Sequence, residues 1–519
     1  MTTKDFSFVE KWEKLPWSKF DHDLFRLQHR IYEATKSGNI NLVKRLQTLL
    51  LNSNARYLAV RQVTQLNIGK KTAGSDRIKS LGYKERLILA DKLINLSEWK
   101  HQKLRRVYIP KPSGEKRPLG IPTINDKALQ CLIKYALEPV YEAQASRGSY
   151  GFRLGRSAWD VQNNIYKNLQ STSRGYEKLI LQLDIEKCFD KINHKKLMSM
   201  VILPKSATYV LWSALKAGIL NERATTTEVT PQGGVISPLL CNIALNGIED
   251  LWNEKFAKTR IYQRGIRYAD DMIFFIKPNE DVAALISKID LFLSERGLNI
   301  KEKKIKIAKS IDGFDFLGWH FKVKSKNKKF VSYPSQKNYK QMIYKIKTTM
   351  QDTRFPTKTR LDKIKVIYRG WFNYHQYCDM SQLNLWSIKS WTNEYLIKNS
   401  NMDRKKRVEN VSDIFNGHTY KVNSFKPVIQ NKSPYDYDWL YWAKRGSKRF
   451  SGPKLRSIRF QKFRCKSCNY RFKLDDLIDF HHVDGNNKNN NIRNLVALHR
   501  SCHLFEPNQG RPINRMVNS

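Results

Sequence analysis

Residues 264–276 predict a β-hairpin with an acidic pair at its bend. They read Arg-Gly-Ile-Arg-Tyr-Ala-Asp-Asp-Met-Ile-Phe-Phe-Ile, so that Asp270 and Asp271 separate two runs of β-branched and aromatic residues. Such nearly continuous apolar runs are typical of strands that are covered on one face by helices. Two carboxylates are therefore expected side by side at one end of a buried sheet.

Two carboxylates held rigidly at a bend repel each other. The usual compensation is a divalent cation such as Mg²⁺, which prefers oxygen ligands. An ordinary turn is the alternative interpretation, because Asp is common at hairpin bends and short motifs often match by chance. A third carboxylate upstream favours the metal interpretation.

That third carboxylate is Asp184, which ends the apolar run Leu-Ile-Leu-Gln-Leu at residues 179–183. A carboxylate at the end of a buried strand lies where α/β proteins tend to collect ligands. Nucleotidyl transfer uses shared carboxylates that hold two cations about 4 Å apart, one at the attacking hydroxyl and one at the leaving pyrophosphate. Asp184, Asp270 and Asp271 are therefore the candidate catalytic residues and the candidate ligands of two Mg²⁺ ions.

The charge of the chain predicts a polyanionic partner. Its 94 Lys and Arg outnumber 47 Asp and Glu, and the net charge of +47 is self-repulsive without a polyanion. Nucleic acid is the expected partner, and the aromatic content of 12% suits base stacking. The basic residues are spread along the whole chain, which disfavours the alternative of an acidic membrane surface. A length of 519 residues predicts about three or four domains.

The sequence predicts neither a secretory signal nor a membrane span. Residues 1–14 carry charges throughout, and the most apolar long window, residues 201–220, contains a proline and two lysines. Cys465, Cys468 and Cys502 cluster near the C-terminus while the other four cysteines are scattered. This usage is typical of metal binding in a reducing compartment. A cytoplasmic protein associated with nucleic acid is expected.

Two further segments suit nucleotide binding. Residues 105–122 predict a basic hairpin that places Lys111 and Arg117 on one flap, where they can neutralise a triphosphate. A solvated basic hairpin is the alternative. Residues 230–240 contain Pro-Gln-Gly-Gly before a predicted helix, and glycines there let backbone amides approach a ligand. A plain loop and helix cap is the alternative.

Taken in chain order, these segments resemble those of a reverse transcriptase, and more narrowly those of the proteins encoded by bacterial group II introns. Six motifs of that family occur in register across residues 105–320, and so many ordered matches are not expected by chance. They are the basic Ile-Pro-Lys flap, Gly-Phe-Arg-x-Gly-Arg-Ser at 151–157, the strand that ends in Asp, Pro-Gln-Gly, Tyr-Ala-Asp-Asp, and Phe-Leu-Gly-Trp at 316–319.

The resemblance implies an α+β multidomain fold, a right-hand polymerase with fingers, palm and helical thumb. It implies that the three aspartates bind Mg²⁺ and that Phe189 lies beneath the incoming sugar, where its ring excludes a 2′ hydroxyl. It also implies that Gln232 lines the dNTP pocket. The expected dNTP-binding set consists of Lys111, Arg117, Phe189 and Gln232.

The resemblance also implies a domain organisation. Two Lys-rich amphipathic patterns, at residues 339–350 and 361–372, resemble the helices of the thumb. Their apolar stripes suit a core and their basic faces suit duplex RNA. The DNA-binding region rests on residues 438–445, for which an aromatic linker is the alternative. The expected divisions are an N-terminal extension of the fingers at 1–90, fingers and palm at 91–325, a thumb or maturase domain at 326–400, a small DNA-binding region at 401–460 and a tail at 461–519.

The tail resembles an HNH endonuclease of the ββα-metal type. Three cysteines and a histidine have the paired spacing of a structural zinc site. The alternative is a zinc ribbon that binds DNA without cutting it. By the resemblance, the zinc ligands are Cys465, Cys468, Cys502 and His499, the general base is His482, the ligands of a divalent cation, expected to be Mg²⁺, are His481 and His503, and the residue that orients the loop is Asn494.

One departure from related motifs follows the last histidine. Pro507 stands where another His is common, which leaves cation ligation to His481, His503 and waters, or to Glu506.

The whole chain is thus expected to be an RNA-directed DNA polymerase that binds intron RNA and assists splicing. Its tail is expected to be a separable nuclease that nicks target DNA, which supports intron mobility. One alternative is a splicing maturase with little polymerase use. The other is a reverse transcriptase of a phage-defence or CRISPR-associated system.

Overall fold

The computed structural model describes residues 3–110, 114, 116–220, 233–255, 261–381, 383–416, 425–429, 432–448, 450–474 and 476–505. Four residues named above, Lys111, Gln232, Glu506 and Pro507, lie outside this part of the chain.

The helices fall into four groups along the chain. The first is α1 (Thr3–Glu13), α2 (Trp17–Lys36), α3 (Ile40–Leu51), α4 (Ala55–Arg61) and α5 (Tyr83–Lys92). The second is α6 (Ile124–Gln144), α7 (Ala158–Leu169), α8 (Cys188–Lys191), α9 (His194–Met200), α10 (Lys205–Leu215), α11 (Ser237–Ala244) and α12 (Val282–Ser294). The third is α13 (Gln336–Gln351), α14 (Thr357–His375), α15 (Leu385–Asn399) and α16 (Arg404–Phe415). The fourth is α17 (Trp439–Ser447), α18 (Gly452–Phe460) and α19 (Arg500–Phe505).

Within the described ranges, the strands form five separate antiparallel sheets. In chain order they are β1 (Arg105–Pro110), β2 (Lys116–Ile121), β3 (Leu179–Asp184), β4 (Glu254–Lys255), β5 (Ile261–Tyr262), β6 (Gly265–Tyr268), β7 (Asp271–Ile276), β8 (Lys306–Lys309), β9 (Phe314–Phe316), β10 (Trp319–Val323), β11 (Phe330–Pro334), β12 (Ile478–His482) and β13 (Leu495–His499). Short π or 3₁₀ turns occur at Gln62–Leu66, Ile68–Lys71, Leu96–Glu98, Ser171–Ser173, Gly175–Glu177, Ile248–Asp250 and Glu302–Lys304.

The central sheet has the strand order β6-β7-β3-β8, and both of its faces are buried. Alternate side chains of a strand point to opposite faces, so Leu181 and Phe274 enter one core while Ile180 and Phe275 enter another. The expectation that helices cover only one face is therefore wrong. A second covered face explains why the apolar runs are nearly continuous.

The first core joins the sheet to the helices of the first two groups other than α7. Helix α6 packs against α2, α3 and α4. Its first turn is capped by Thr123, whose hydroxyl accepts a hydrogen bond from the backbone N–H of Asp126 at 3.2 Å. A side-chain cap satisfies one of the N–H groups that a helix start leaves unpaired.

The second core joins the opposite face of the sheet to α7, β9, β10 and the third group of helices. Val161 of α7, Trp319 of β10 and Ile346 of α13 belong to it. Phe415 at the end of α16 belongs to it as well. The helices that follow the sheet thus share one core with the sheet that carries the acidic residues.

The C-terminal region packs against α2. The Asp21 carboxylate pairs with Lys473 Nζ at 3.3 Å, and the His22 ring stacks on Tyr470 with centroids 4.8 Å apart. Ser18 Oγ lies 3.2 Å from Cys502 Sγ. The sequence predicted a separable tail, and these contacts give the tail an interface with the N-terminal helices.

No helix within the described ranges is both long enough and apolar enough to cross a lipid bilayer.

Candidate functional site

The hairpin of β6 and β7 carries the acidic pair at its bend, as the sequence predicted. Tyr268 is paired with Asp271, and the two residues between them, Ala269 and Asp270, make the turn. On its other side Asp271 is paired with Asp184, the last residue of β3. The three carboxylates predicted from sequence therefore meet at one end of the central sheet.

The three carboxylates are electrostatically strained. Burial and the charge of Asp184 raise the pKa of Asp270. Burial, Asp270 and Asp184 together raise the pKa of Asp271 to about 6. Such shifts arise where burial, and then nearby like charges, disfavour the ionised carboxylates. Lys304 hydrogen-bonds to Asp184, which raises the pKa of the lysine. A cluster of carboxylate oxygens with uncompensated repulsion is a donor set that fits Mg²⁺.

The flap of β1 and β2 brings a cation to this cluster. Arg117 lies opposite Ile109 on the flap, with its side chain exposed. Its charge opposes the increase in the pKa of Asp270, so the flap acts electrostatically on the acidic site. Arg117 is thus an exposed cation of the flap whose charge acts on the carboxylates.

The described end of the Pro-Gln-Gly-Gly segment, from Gly233 onward, packs against the same flap. Gly233 has a φ of 123°, and a β-carbon there would lie 2.7 Å from the carbonyl oxygen of Gly120 on β2. Two residues later, the backbone N–H of Val235 donates to Gln130 Oε1 at 2.9 Å. Only glycine tolerates both this close approach and this backbone conformation.

Phe189 lies in α8, which follows Asp184 after a short turn. Lys187, with a φ of 46°, caps that helix. The ring of Phe189 is only 8% exposed and belongs to the first core. The neighbouring Cys188 Sγ lies 3.6 Å from Cys241 Sγ, so α8 is packed against α11. The ring is therefore held beside the acidic cluster by a packed core.

Arg267 of β6 supports the acidic turn, a role that was not predicted from the sequence. Its guanidinium donates to Asn242 Oδ1 at 2.8 Å, to the carbonyl oxygen of Ala269 at 3.2 Å and to Ser149 Oγ at 2.9 Å. It also forms an ion pair with Glu249. A charged residue inside an otherwise apolar strand was the available signal, because a buried charge must be paired.

Gly151 brings the Gly-Phe-Arg-x-Gly-Arg-Ser segment onto the turn. A β-carbon at this position would lie 2.3 Å from the backbone nitrogen of Ala269. The carbonyl oxygen of Gly151 accepts a hydrogen bond from Asn242 Nδ2 at 2.9 Å. Because Asn242 also accepts from Arg267, one side chain links this segment to the turn.

Cys465, Cys468, Cys502 and His499 come together in the tail. Their ligand atoms all lie within 4.8 Å of one another, and His499 Nδ1 is 3.3 Å from Cys468 Sγ and 3.9 Å from Cys502 Sγ. Zinc bonds of about 2.3 Å to sulfur and about 2.1 Å to nitrogen, in tetrahedral geometry, require ligand separations of this size. The donor set therefore fits Zn²⁺.

The surroundings of the four residues also fit a metal. Hydrogen bonds from Cys465 and Cys502 hold the pKa of the Cys468 thiol well below its usual range, and the thiolate is the form that binds metals. The outward nitrogen of His499, Nε2, lies 3.1 Å from Asp476 Oδ2. A carboxylate on the second nitrogen of a histidine ligand fixes its tautomer and ring orientation.

A second cluster of histidines lies on β12 and α19. His481 Nδ1 is 3.3 Å from His503 Nε2, a separation that two nitrogen ligands of one cation would have. His503 Nδ1 lies 3.4 Å from Asp479 Oδ2. His482 Nε2 is 3.3 Å from Asn490 Oδ1. Strands β12 and β13 form an antiparallel pair and α19 follows directly, which is a ββα arrangement.

Asn494 orders the loop between these two strands. Its Nδ2 donates to Asp484 Oδ1 and to the carbonyl oxygen of Asn489, both at 2.8 Å. Its Oδ1 accepts from the backbone N–H of Asp484 at 3.0 Å. The resemblance assigned Asn494 the role of orienting the loop, and these hydrogen bonds join it to two other residues of that loop.

Three protein-family models match the chain. Residues 109–321 match reverse transcriptase (RNA-dependent DNA polymerase), residues 12–93 match the N-terminal domain of reverse transcriptase, and residues 339–412 match the group II intron maturase-specific domain. The fold and the matched models define a protein with a reverse transcriptase domain.

Similar proteins identify the family within this class. The chain is 32% identical over 379 residues to maturase-like protein 1 of Euglena gracilis, covering 72% of this chain and 80% of that protein. It is 31% identical over 315 residues to protein YkfC of Escherichia coli, covering 53% and 82%. It is 32% identical over 229 residues to group II intron-encoded protein LtrA of Lactococcus lactis, covering 42% and 37%. The chain belongs to the group II intron reverse transcriptase and maturase family.

Proposed function

We propose that the protein is an RNA-directed DNA polymerase that binds its intron RNA in the bacterial cytoplasm, assists splicing and copies the RNA into DNA at a target site. One observation carries the polymerase part. Asp184 and Asp271 are directly opposite each other on neighbouring strands, and Asp270 lies in the adjoining turn. The resulting concentration of negative charge is the environment that two-metal nucleotidyl transfer requires.

Asp184, Asp270 and Asp271 would hold two Mg²⁺ ions. When bound, such ions activate the primer hydroxyl and neutralise the leaving pyrophosphate. Arg117, on the flap, orients the triphosphate of the dNTP, and Lys111 and Gln232 complete the proposed dNTP-binding set. Lys304 holds the Asp184 carboxylate by a hydrogen bond. Phe189 supports the sugar, and the packing around its ring leaves little freedom to admit a 2′ hydroxyl.

The thumb helices are the proposed surface for intron RNA. Helix α13 buries Tyr339, Met342, Ile346 and Met350 along one stripe, which leaves Lys337, Lys340 and Lys345 exposed. Lysines on one face of a helix suit the phosphates of structured RNA, which proteins bind by shape and charge. The match of residues 339–412 to the maturase-specific domain supports the same assignment.

We further propose that the tail is an HNH endonuclease that nicks target DNA and thereby supplies the primer. The specific observation that favours it is the pair His481 and His503, whose facing nitrogens are 3.3 Å apart in a ββα arrangement. These two residues would hold a divalent cation, and His482 would take a proton from water near neutral pH. A structural zinc ion would be held by Cys465, Cys468, His499 and Cys502.

The test combines three assays on the full chain with Mg²⁺ supplied. They are extension of a DNA primer on an RNA template, splicing of the RNA that copurifies with the protein, and nicking of target DNA by the ribonucleoprotein. Splicing without extension would favour a maturase that makes little use of its polymerase. Extension together with copurified RNA that contains no intron would favour a role in phage defence or beside a CRISPR system. Zinc binding with no nicking would make the tail a DNA-binding ribbon.

A further inference from the structure

Phe152 has an unusual combination of conformation and exposure. Its φ is 58°, a left-handed conformation that is rare for a bulky side chain and costs free energy. Its ring is also 57% exposed, so the strain is not offset by burial of the aromatic surface. A strained residue persists where its surroundings fix it, and such residues cluster at functional sites.

The chain on both sides of Phe152 is fixed. Before it, Gly151 lies against the backbone of Ala269 in the acidic turn. After it, Arg153 is buried and forms a two-pronged ion pair with Glu142, with both N···O distances at 2.9 Å. Arg153 also donates to the carbonyl oxygens of Ser146 and Ser149 at 2.8 and 2.9 Å. The exposure of the Phe152 ring is therefore a built feature of the fold.

The segment that leads to Phe152 lies on the outer edge of β6. Ser149 forms a parallel bridge with Arg267, and the backbone N–H of Tyr150 donates to the carbonyl oxygen of Arg267 at 2.9 Å. The segment is thus on the far side of the turn from Asp184. Two interstrand spacings, about 10 Å in all, separate β3 from β6, which is the scale of a base pair.

We propose that the Phe152 ring stacks on a base of the RNA template strand, at the position that pairs with the incoming nucleotide. The inference rests on the proposed polymerase function, since the primer end must lie over the carboxylates on β3 and β7. The paired strand then lies toward β6, where Phe152 presents its ring. A rigid exposed aromatic ring is a general platform for nucleobases, because every base has a face that can stack.

The experiment measures binding and does not depend on catalysis. An RNA template with 2-aminopurine at the position opposite the incoming nucleotide is annealed to a DNA primer that ends in a dideoxynucleotide. Stacking on Phe152 quenches the fluorescence of the probe. Phe152→Gly, which suits the positive φ, and Phe152→Leu, which removes the ring but keeps apolar bulk, are compared with wild type. Tyr209→Leu is the matched control, because Tyr209 on α10 is an exposed aromatic residue outside this segment.

Both Phe152 variants are expected to lose the quenching and to raise the Kd of the template–primer about fivefold or more, the loss typical of one stacked base. Tyr209→Leu is expected to match wild type. If Phe152→Gly folds as wild type does and keeps both quenching and Kd, the proposal is wrong. If Phe152→Gly does not fold, Phe152→Leu takes its place, and the proposal is wrong if that variant keeps both the quenching and the wild-type Kd. The proposal is also wrong if the Phe152 variants lose quenching only when the probe is placed at the primer end and not in the template. A wild type that shows the template quenching but never extends a primer contradicts the polymerase function and not this contact.

Discussion

Arg267 and Glu249 form an ion pair in which neither side chain is exposed to solvent. Burial alone would lower the pKa of Arg267, but the Glu249 carboxylate and neighbouring groups outweigh it and raise that pKa. The pair lies directly behind the turn that carries Asp270, and Arg267 also donates to the carbonyl oxygen of Ala269 in that turn. The position of the acidic cluster therefore depends on a buried charge that has a single carboxylate partner among the contacts described here.

Removing that partner should damage both the fold and the site. Glu249→Gln leaves the Arg267 charge buried and uncompensated, which typically costs about 3–5 kcal/mol. We expect a large drop in Tm and a loss of primer extension. The matched control is Asp352→Asn, which breaks an ion pair with Arg354 at the surface and should change neither. Equal Tm values for Glu249→Gln and wild type would show that the buried pair does not support the turn.

Asp271 should destabilise the protein at neutral pH when no divalent cation is supplied. Its pKa is raised from 3.8 to about 6, so folding favours the protonated carboxyl. The stability from this group is complete below pH 4 and is lost as pH rises through 6. Because part of the residue faces solvent, which screens the charge, the loss is about 1 kcal/mol.

In a chelator at pH 8, Asp271→Asn should therefore melt at a higher temperature than wild type. At pH 4 the two proteins should melt together. Added Mg²⁺ should reverse the order at pH 8, because only wild type has the full ligand set. Asp290→Asn, at an exposed position on α12, serves as the control for a general effect of charge. A variant no more stable than wild type at pH 8 would contradict the uncompensated repulsion.

Phe189→Val should weaken discrimination against ribonucleotides. The smaller side chain leaves room for a 2′ hydroxyl beneath the sugar, and we expect at least about a tenfold rise in the ratio of ribonucleotide to deoxynucleotide incorporation, equivalent to about 1.4 kcal/mol. Single-turnover extension measures this ratio. Leu197→Val, a change in the same core on α9, controls for loosened packing. An unchanged ratio in Phe189→Val would show that this ring does not exclude the 2′ hydroxyl.

Removing a zinc ligand should unfold the tail. Cys465→Ser should lose the one zinc ion per chain that elemental analysis is expected to find, because metal binding supplies much of the folding free energy of so small a unit. The contact of Cys502 with Ser18 should then be lost as well, and limited proteolysis should cut the tail. Full zinc content and resistance to protease in Cys465→Ser would contradict the assigned ligands.

His482→Ala should abolish nicking of target DNA while zinc content and primer extension remain. The neutral imidazole is the proposed acceptor of a proton from water, and His482 lies outside the four-residue cluster that fits zinc. His22→Ala is the matched control, because it removes an imidazole that stacks on Tyr470 of the tail without touching the β12 histidines. Equal nicking by wild type and His482→Ala would show that this residue is not the general base.

Local sequence predicted the parts of the site that depend on short-range pattern. The hairpin bend at Asp270 and the strand that ends at Asp184 follow from nearly continuous apolar runs and a turn, and the spacing of three cysteines and a histidine predicted the zinc-like cluster. The pairing of Asp184 with Asp271 agrees with the convergence that was expected. All of these signals lie within one or two neighbouring elements.

Contacts between distant parts of the chain could not be predicted. Nothing in the sequence pairs Arg267 with Glu249, places Gly151 against Ala269 or packs Cys502 near Ser18, because these contacts depend on how whole elements pack. The second covered face of the sheet was missed for the same reason, since it is supplied both by α7, which precedes the sheet, and by the third group of helices, which follows it. A buried arginine in a strand indicates only that some partner must exist.

The most direct test of the central claim is primer extension on an RNA template by Asp270→Asn and Asp271→Asn, with intron RNA binding measured on the same preparations. Positive side chains and not the acidic cluster provide RNA affinity. Both variants are therefore expected to lose complementary-DNA synthesis by a factor of a thousand or more, about 4 kcal/mol, while the Kd for intron RNA and the assistance to splicing stay close to those of wild type. Synthesis that persists in both variants, or an equal loss of synthesis and RNA binding, would contradict a polymerase site at these three carboxylates.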